Sequence, residues 1–312
     1  MNIQGANSEP YYRFFRANED FGSNIKLAYG ALHAITQQQD ATPPQRGSRL
    51  IRLPTGGEPW GSSTKWRAIK QRIPQVRRFL AQMGLVLVMS AFEDFLTNVK
   101  SEHSRYSGFL GTPTIAKKPL AGNIENGDIL RNFYASLRWD ITPIEYLLPL
   151  LDYFVLARNC IVHRSGRATE ALVEEAKSSE LSECIHAWPS KPGKKIPQLP
   201  DVQEGRDIAF LPRHAILFSE VCQRAAIEID SLLSRFLGVE GIVYMAAYHA
   251  LLADNRVQTI ARRSPEQVIN HVLAQRCRVP IPDKYEVISI LKKLEIWSQC
   301  RTKYNKLYPK VK

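Results

Sequence analysis

The sequence predicts an all-α protein, and three observations carry that reading. Apolar residues recur at helical spacing over long stretches, as in Leu85, Val88, Met89, Phe92 and Leu96. Helix-start signals stand ahead of such stretches: Thr142 with Pro143, Ser264 with Pro265 and Gln267, and Asp283 with Glu286. The alternation of apolar and polar residues that marks a half-buried strand is nearly absent.

In chain order, a polar start precedes a helix expected at about residues 23–39. Residues 40–63, rich in Pro, Gly and Ser, read as a linker. Residues 65–80 carry Lys65, Arg67, Lys70, Arg72, Arg77 and Arg78 with no acidic residue among them. The periodic helix through Leu85 to Leu96 follows, then a Gly- and Pro-containing connection over 107–127 and a short helix over 128–138. Thr142 as cap and Pro143 at the first helical position open a helix expected to run to about His163, with Glu145 suited to the dipole of its first turn. Residues 168–184 read as helix. Residues 187–212 hold too many prolines for one and read as a surface loop, with a short strand at 207–211. From 213 to 237 a broad apolar face (Ile216, Phe218, Val221, Ala225, Ile229, Leu232, Leu233, Phe236) marks a helix ended by Gly238. The expected organisation is an N-terminal helix and linker (1–63), a helical bundle (64–240) and a small basic helical unit (241–312).

Composition narrows the function. A formal net charge of +12 over 312 residues favours an anionic partner, nucleic acid before an acidic membrane surface. Residues 241–312 hold 13 Lys and Arg against 5 Asp and Glu, so this segment carries +8 of the total. The five cysteines form no CxxC pair and no Cys/His cluster with zinc spacing, which reads as reduced thiols with no metal site. The N-terminal residues show no secretory pattern, and the longest unbroken apolar run, 85–89, is far too short to cross a bilayer. The expectation is a cytoplasmic protein with no cofactor and no membrane partner.

The stretch FVLARNCIVHRSG, residues 154–166, places an arginine, an asparagine and a histidine in an apolar helix. With Leu147 at zero and about 100° per residue, Leu151 falls near 40°, Phe154 near 340° and Arg158 near 20°. Arg158 thus takes a position where leucine is expected, and a buried guanidinium is costly unless paired or facing an anion. His163 falls near 160°, on a second face with Asp152, Leu156 and Asn159, about 140° from Arg158. The two meet only if the helix ends or distorts after Cys160, or if a second subunit completes the site. A polar network that locks the core would also explain the set.

RNCIVH, with the preceding EYLLPLLDYFVLA and the earlier LVLVMSAFEDFL, resembles the HEPN superfamily, whose signature is Arg, a polar residue, three variable positions and His. The resemblance covers residues 80–240 loosely and 158–163 specifically. It implies a bundle of four or five helices, and in many members a metal-independent endoribonuclease acting as a homodimer, the two motifs facing one cleft. It further implies a toxin or antiviral effector acting on RNA, with a cognate antitoxin as a possible partner. By position Arg158 would stabilise the phosphate, Asn159 would orient the site and His163 would transfer protons. Glu93, at the edge of its apolar stripe, is the acidic residue to pair with Arg158 or His163, or else a solvated helix charge. Asp94 falls on the opposite face.

These residue types fit RNA cleavage. RNA carries its own nucleophile, the 2′-hydroxyl, and a neutral imidazole can take that proton near neutral pH. A planar guanidinium can bind two oxygens of the phosphorane that forms. The products would be a 2′,3′-cyclic phosphate and a 5′-hydroxyl. Lys65, Arg67, Arg77 and Arg78 on one stretch, and Lys303 and Lys306 on another, are candidate RNA-backbone contacts. Tyr304 and Tyr308, interleaved with Lys303, Lys306 and Lys310, suit base stacking. KPGKK at 191–195 is a further phosphate contact or an exposed loop. A non-catalytic bundle that holds RNA or a nucleotide, and a purely structural role for the motif, are the rival readings.

Overall fold

Helix α1 (Glu9–Asp40) begins earlier than expected because Ser8 caps it. The Ser8 hydroxyl accepts from the Tyr11 amide at 3.3 Å, and Pro10 lies in the first turn, where its missing N–H costs nothing. The computed structural model describes residues 5–40, 50–52, 63–111, 128–188, 196–254, 264–280 and 283–309. Two three-residue strands, β1 (Leu50–Arg52) inside the expected linker and β2 (Ser63–Lys65) at its end, pair antiparallel. Apart from its connecting loops the rest of the described chain is helical: α2 (Trp66–Phe109), α3 (Ile129–Leu137), α4 (Leu148–Arg164), α5 (Glu170–Ala176), α6 (Ser179–Ala187), α7 (Pro212–Ala247), α8 (Pro265–Gln275), α9 (Lys284–Lys293) and α10 (Trp297–Leu307). A 3₁₀ turn, Thr142–Leu147, leads into α4, and a π turn, Tyr248–Leu252, follows α7. The protein is all-α.

Several local expectations are corrected. The basic stretch and the apolar helix are one helix, α2, which runs through Pro74. Thr142 does not cap its turn; its amide and hydroxyl instead both donate to Asp140 Oδ1, at 3.1 and 2.8 Å. The 168–184 helix is two, α5 and α6, capped by Thr169 and Ser178. The strand expected at 207–211 is a single antiparallel bridge, Arg167 to Asp207. Gly238 does interrupt the helix at the expected place, with non-helical φ 59° and ψ −168°, but the chain turns helical again at once and α7 continues to Ala247.

The described chain packs as two compact units, neither continuous in sequence: Met1–Ala17, Ser90–Leu148 and Cys222–Lys312 form one, Asn18–Met89 and Pro149–Val221 the other. These boundaries differ from the expected division at 63/64 and 240/241. Residues 241–312 are not a separate unit, because they share a core with both the N-terminus and the second half of α2. The Asn7 amide donates to the Cys277 carbonyl at 2.8 Å. Glu9, buried at the start of α1, pairs with Arg276. In the same unit Phe14 packs against Phe92 and Phe95, with ring centroids 5.9 and 5.3 Å apart. Glu102 is buried and accepts from His249 Nε2 at 2.7 Å and from Arg105. Burial alone would raise the Glu102 carboxyl, but the His249 hydrogen bond and charge and the Arg105 guanidinium outweigh it and hold it below its usual range.

The other unit gathers the later part of α1, the first part of α2, α4 to α6 and the start of α7. Gly84 lets α2 approach α7 closely: a Cβ there would lie 2.9 Å from Ala215 Cβ and 3.1 Å from the Phe21 ring. Phe154 of α4 stacks on Phe218 of α7 at 4.9 Å. By length and composition the stretch Gln71–Phe109 of α2 is apolar enough to cross a membrane, although no single run in it is long. Its Leu85, Val88, Met89, Phe92 and Leu96 are buried within the protein.

Candidate active site on helix α4

Helix α4 is enclosed on every side for its first three turns. Leu150, Leu151, Tyr153, Phe154, Val155 and Ala157 are all fully buried, whichever face of the wheel they occupy. This is why the region reads as core helix in the sequence. Enclosure ends at Arg158. Arg158 and Asn159 are half-buried, and Val162, His163 and Arg164 are exposed. The polar residues therefore lie where the helix leaves the core, with Arg158 Nε itself still shielded from solvent. Arg158 Nη1 donates to Asn159 Oδ1 at 3.0 Å, so the asparagine side chain braces the arginine.

The helix is unbroken from Leu148 to Arg164. The angular separation of about 140° between Arg158 and His163 on an ideal helix is therefore retained, and no distortion after Cys160 swings them together. The helix ends immediately after the motif. Ser165 and Gly166 are both left-handed, with φ of 55° and 84°, and the Gly166 amide folds back to the Cys160 carbonyl at 3.0 Å. The following residues are tied to the 205–208 loop. Ala168 donates to the Arg206 carbonyl at 2.9 Å, Gly205 to the Ala168 carbonyl at 2.9 Å, and Ile208 to the Gly166 carbonyl at 3.0 Å. His163 thus stands on the last turn of a helix whose end is pinned, as a histidine displayed to solvent on a rigid element.

The remaining candidates divide. Glu93 belongs to the other compact unit from Arg158 and His163; it is half-buried and its carbonyl accepts from Thr97 Oγ1 at 2.9 Å. Asp94 is exposed and accepts from Asn98 Nδ2, as its wheel position implied. Arg77 is half-buried with its guanidinium 5.3 Å from the Tyr29 ring centroid, a cation–π contact. Arg78 pairs with Asp207 at 3.1 Å. The side chains of Lys65 and Arg67 lie outside the described residues, as do residues 191–195 and Lys310. Lys303 and Lys306 are exposed on α10. Tyr304 is a correction: it is buried, its ring 5.0 Å from that of Tyr308, so it packs the end of α10 and does not offer a stacking surface.

Sequence reasoning passed over Arg164, Arg167 and Arg206, exposed residues next to the end of α4. The signal was weak. Arg206 lay in a stretch read as loop, and it is the long-range backbone pairing around Arg167 and Asp207 that brings the two segments together. Among the described residues no group of three or more His, Cys, Asp or Glu side chains is placed to hold a metal ion. No family model, no curated protein and no solved structure matches the chain.

Proposed function

We propose that the protein is a metal-independent endoribonuclease of HEPN type, with Arg158, Asn159 and His163 as its catalytic residues. The observation that carries the reading is the placement of His163, exposed on the pinned last turn of a helix whose preceding turn holds the Asn159-braced Arg158. A general base must be reachable by substrate and held in place, and an exposed histidine on a rigid helix end meets both needs. His163 takes the proton of the RNA 2′-hydroxyl as that oxygen attacks the adjacent phosphorus. The bond to the 5′-oxygen of the next nucleotide breaks, and a second imidazole returns a proton to that oxygen. Arg158 neutralises the charge that builds on the non-bridging oxygens.

A homodimer supplies the second imidazole and brings an Arg158 to face a His163 across the interface. Val162, beside His163 and 47% exposed, gives that interface an apolar contact. In this reading the protein is a cytoplasmic toxin or antiviral effector, and a cognate antitoxin is the partner that would restrain it. The test is cleavage of labelled RNA in EDTA by the wild type, Arg158→Ala and His163→Ala. Cleavage that both substitutions abolish supports the enzyme, and full activity in both variants refutes it. RNA binding without cleavage in the wild type favours the second reading, a bundle that holds RNA without cutting it.

A further inference from the structure

The end of α4 is ringed by arginines that the fold has no need to neutralise. Arg164 sits on the last helical turn, and Arg167 follows the two left-handed residues. Arg206 lies on the adjoining loop, its carbonyl receiving the Ala168 amide. All three are exposed, and among the described residues none of their guanidinium groups is in an ion pair. Arg78 reaches the same loop from α2 and pairs with Asp207. The hydrogen bonds on either side of Arg167 and Asp207, from Ala168 to Arg206 and from Ile208 to Gly166, make these two a non-hydrogen-bonded antiparallel pair. In such a pair both side chains leave the same face, close together. Asp207 therefore stands between Arg78 and Arg167. Glu170, Asp201 and Glu204 are also exposed on the flanking segments, and among the described residues none of them pairs with Arg164, Arg167 or Arg206.

A helix C-terminus accounts for a cation at Arg164, through the dipole. It does not account for Arg167 and Arg206, which lie beyond the helix. Exposed guanidinium groups outside any ion pair among the described residues, on a backbone fixed by cross-loop hydrogen bonds, suit planar recognition of phosphate oxygens. We infer that Arg164, Arg167 and Arg206 form a phosphate-binding rim that holds the RNA backbone on either side of the nucleotide presented to His163, an inference that rests on the ribonuclease reading. The rim holds RNA by its backbone without reading bases, because phosphate contacts position a strand and carry no sequence information.

The experiment measures binding of a 2′-O-methyl RNA oligonucleotide, which cannot be cleaved through its own 2′-oxygen, at several salt concentrations. It compares the full-length wild type with Arg167→Ala/Arg206→Ala, Arg164→Ala, and the charge-keeping Arg167→Lys/Arg206→Lys, each checked by circular dichroism. Each single-strand phosphate contact contributes about 0.7 to the slope of log affinity against log salt. The double alanine variant should lower the slope by about 1.4 and weaken binding at least tenfold, while the double lysine variant keeps most of both. Arg235→Ala, an exposed arginine on α7 in the other unit, should change neither. Unchanged affinity and slope in the alanine variants overturn the rim, whether or not the wild type cleaves RNA, and leave an acidic protein as the ligand to test next. A wild type that does not bind the oligonucleotide also overturns it. If the alanine variants lose binding while the wild type cleaves no unmodified RNA, the rim stands and the ribonuclease reading fails.

Discussion

Asp230 offers a stability prediction that is independent of function. It lies on α7, buried, and accepts the Ser8 amide at 3.0 Å. Burial raises its carboxyl from an ordinary 3.8 to about 7, although the Ser8 hydrogen bonds pull the other way. The Asp230 charge in turn adds to the upward shift of Tyr11 on α1 and of Cys277 beyond α8, both raised chiefly by burial. A raised carboxyl means that the folded state keeps a proton that the unfolded state has already released. The stability tied to that proton is full below pH 3.8 and is lost as pH rises to about 7. Each pH unit inside that window is worth about 1.4 kcal/mol, so wild type should lose roughly 2–3 kcal/mol from this group between pH 5 and pH 8. Asp230→Asn keeps an acceptor for the Ser8 amide and has no charge to bury. Taking the two proteins as equal where both side chains are neutral, it should exceed wild type by roughly 1–2 kcal/mol at pH 5 and by about 4 kcal/mol at pH 8. Urea denaturation of both proteins at the two pH values measures this directly. Equal pH dependence in the two proteins would refute the reasoning, because Asp230 would then be ionised in the fold at no cost.

Three further outcomes follow from the same structure. His249→Ala removes a partner of the buried Glu102 carboxylate and should cost about 3–5 kcal/mol in urea denaturation at pH 7. Because Glu102 is held below its usual range, its contribution is present above the ordinary carboxylate range and is lost as pH falls through the lowered value, so the gap between His249→Ala and wild type should narrow in acid. Tyr153→Phe removes a buried hydroxyl with no hydrogen-bond partner among the described residues, and should leave thermal stability unchanged or raise it by about 1 kcal/mol. Gly166→Ala forces a side chain into left-handed backbone, 2.6 Å from Gln82 Nε2 before any adjustment, and should cost about 1–2 kcal/mol in chemical denaturation.

The helices were legible in the sequence because their signals are local. Apolar spacing located α2 and α7, and the Asp283 cap of α9 is real: its carboxylate accepts from the Tyr285 amide at 3.1 Å. The two compact units were not legible. They depend on contacts such as Ser8 with Asp230, 222 residues apart, and on long helices that contribute to both units, which no local pattern encodes. The charge of 241–312 suggested a detachable basic unit, but its apolar faces (Val268, Ile269, Val272, Leu273) are buried in a core shared with the N-terminus. In the site, the Arg158, Asn159 and His163 triplet was visible as an anomaly in an apolar run. The point at which α4 leaves the core was not, because the wheel shows which face a residue occupies and not how far along the helix the surrounding protein extends. The approach of Arg167 to the 205–208 loop was hidden for a related reason: it depends on a bridge between residues 40 apart, at the junction of two expected helices and in a stretch read as loop.

The central claim is that RNA supplies the nucleophile and that His163 and Arg158 activate it. The most direct measurement is the chemistry of the cut ends. Wild-type protein in EDTA is incubated with a labelled RNA and with the same strand bearing 2′-deoxy sugars throughout. The account predicts RNA fragments ending in 2′,3′-cyclic phosphate and 5′-hydroxyl and no cleavage of the deoxy strand. Equal cleavage of both strands, RNA fragments with 5′-phosphates, or no cleavage of RNA would contradict it.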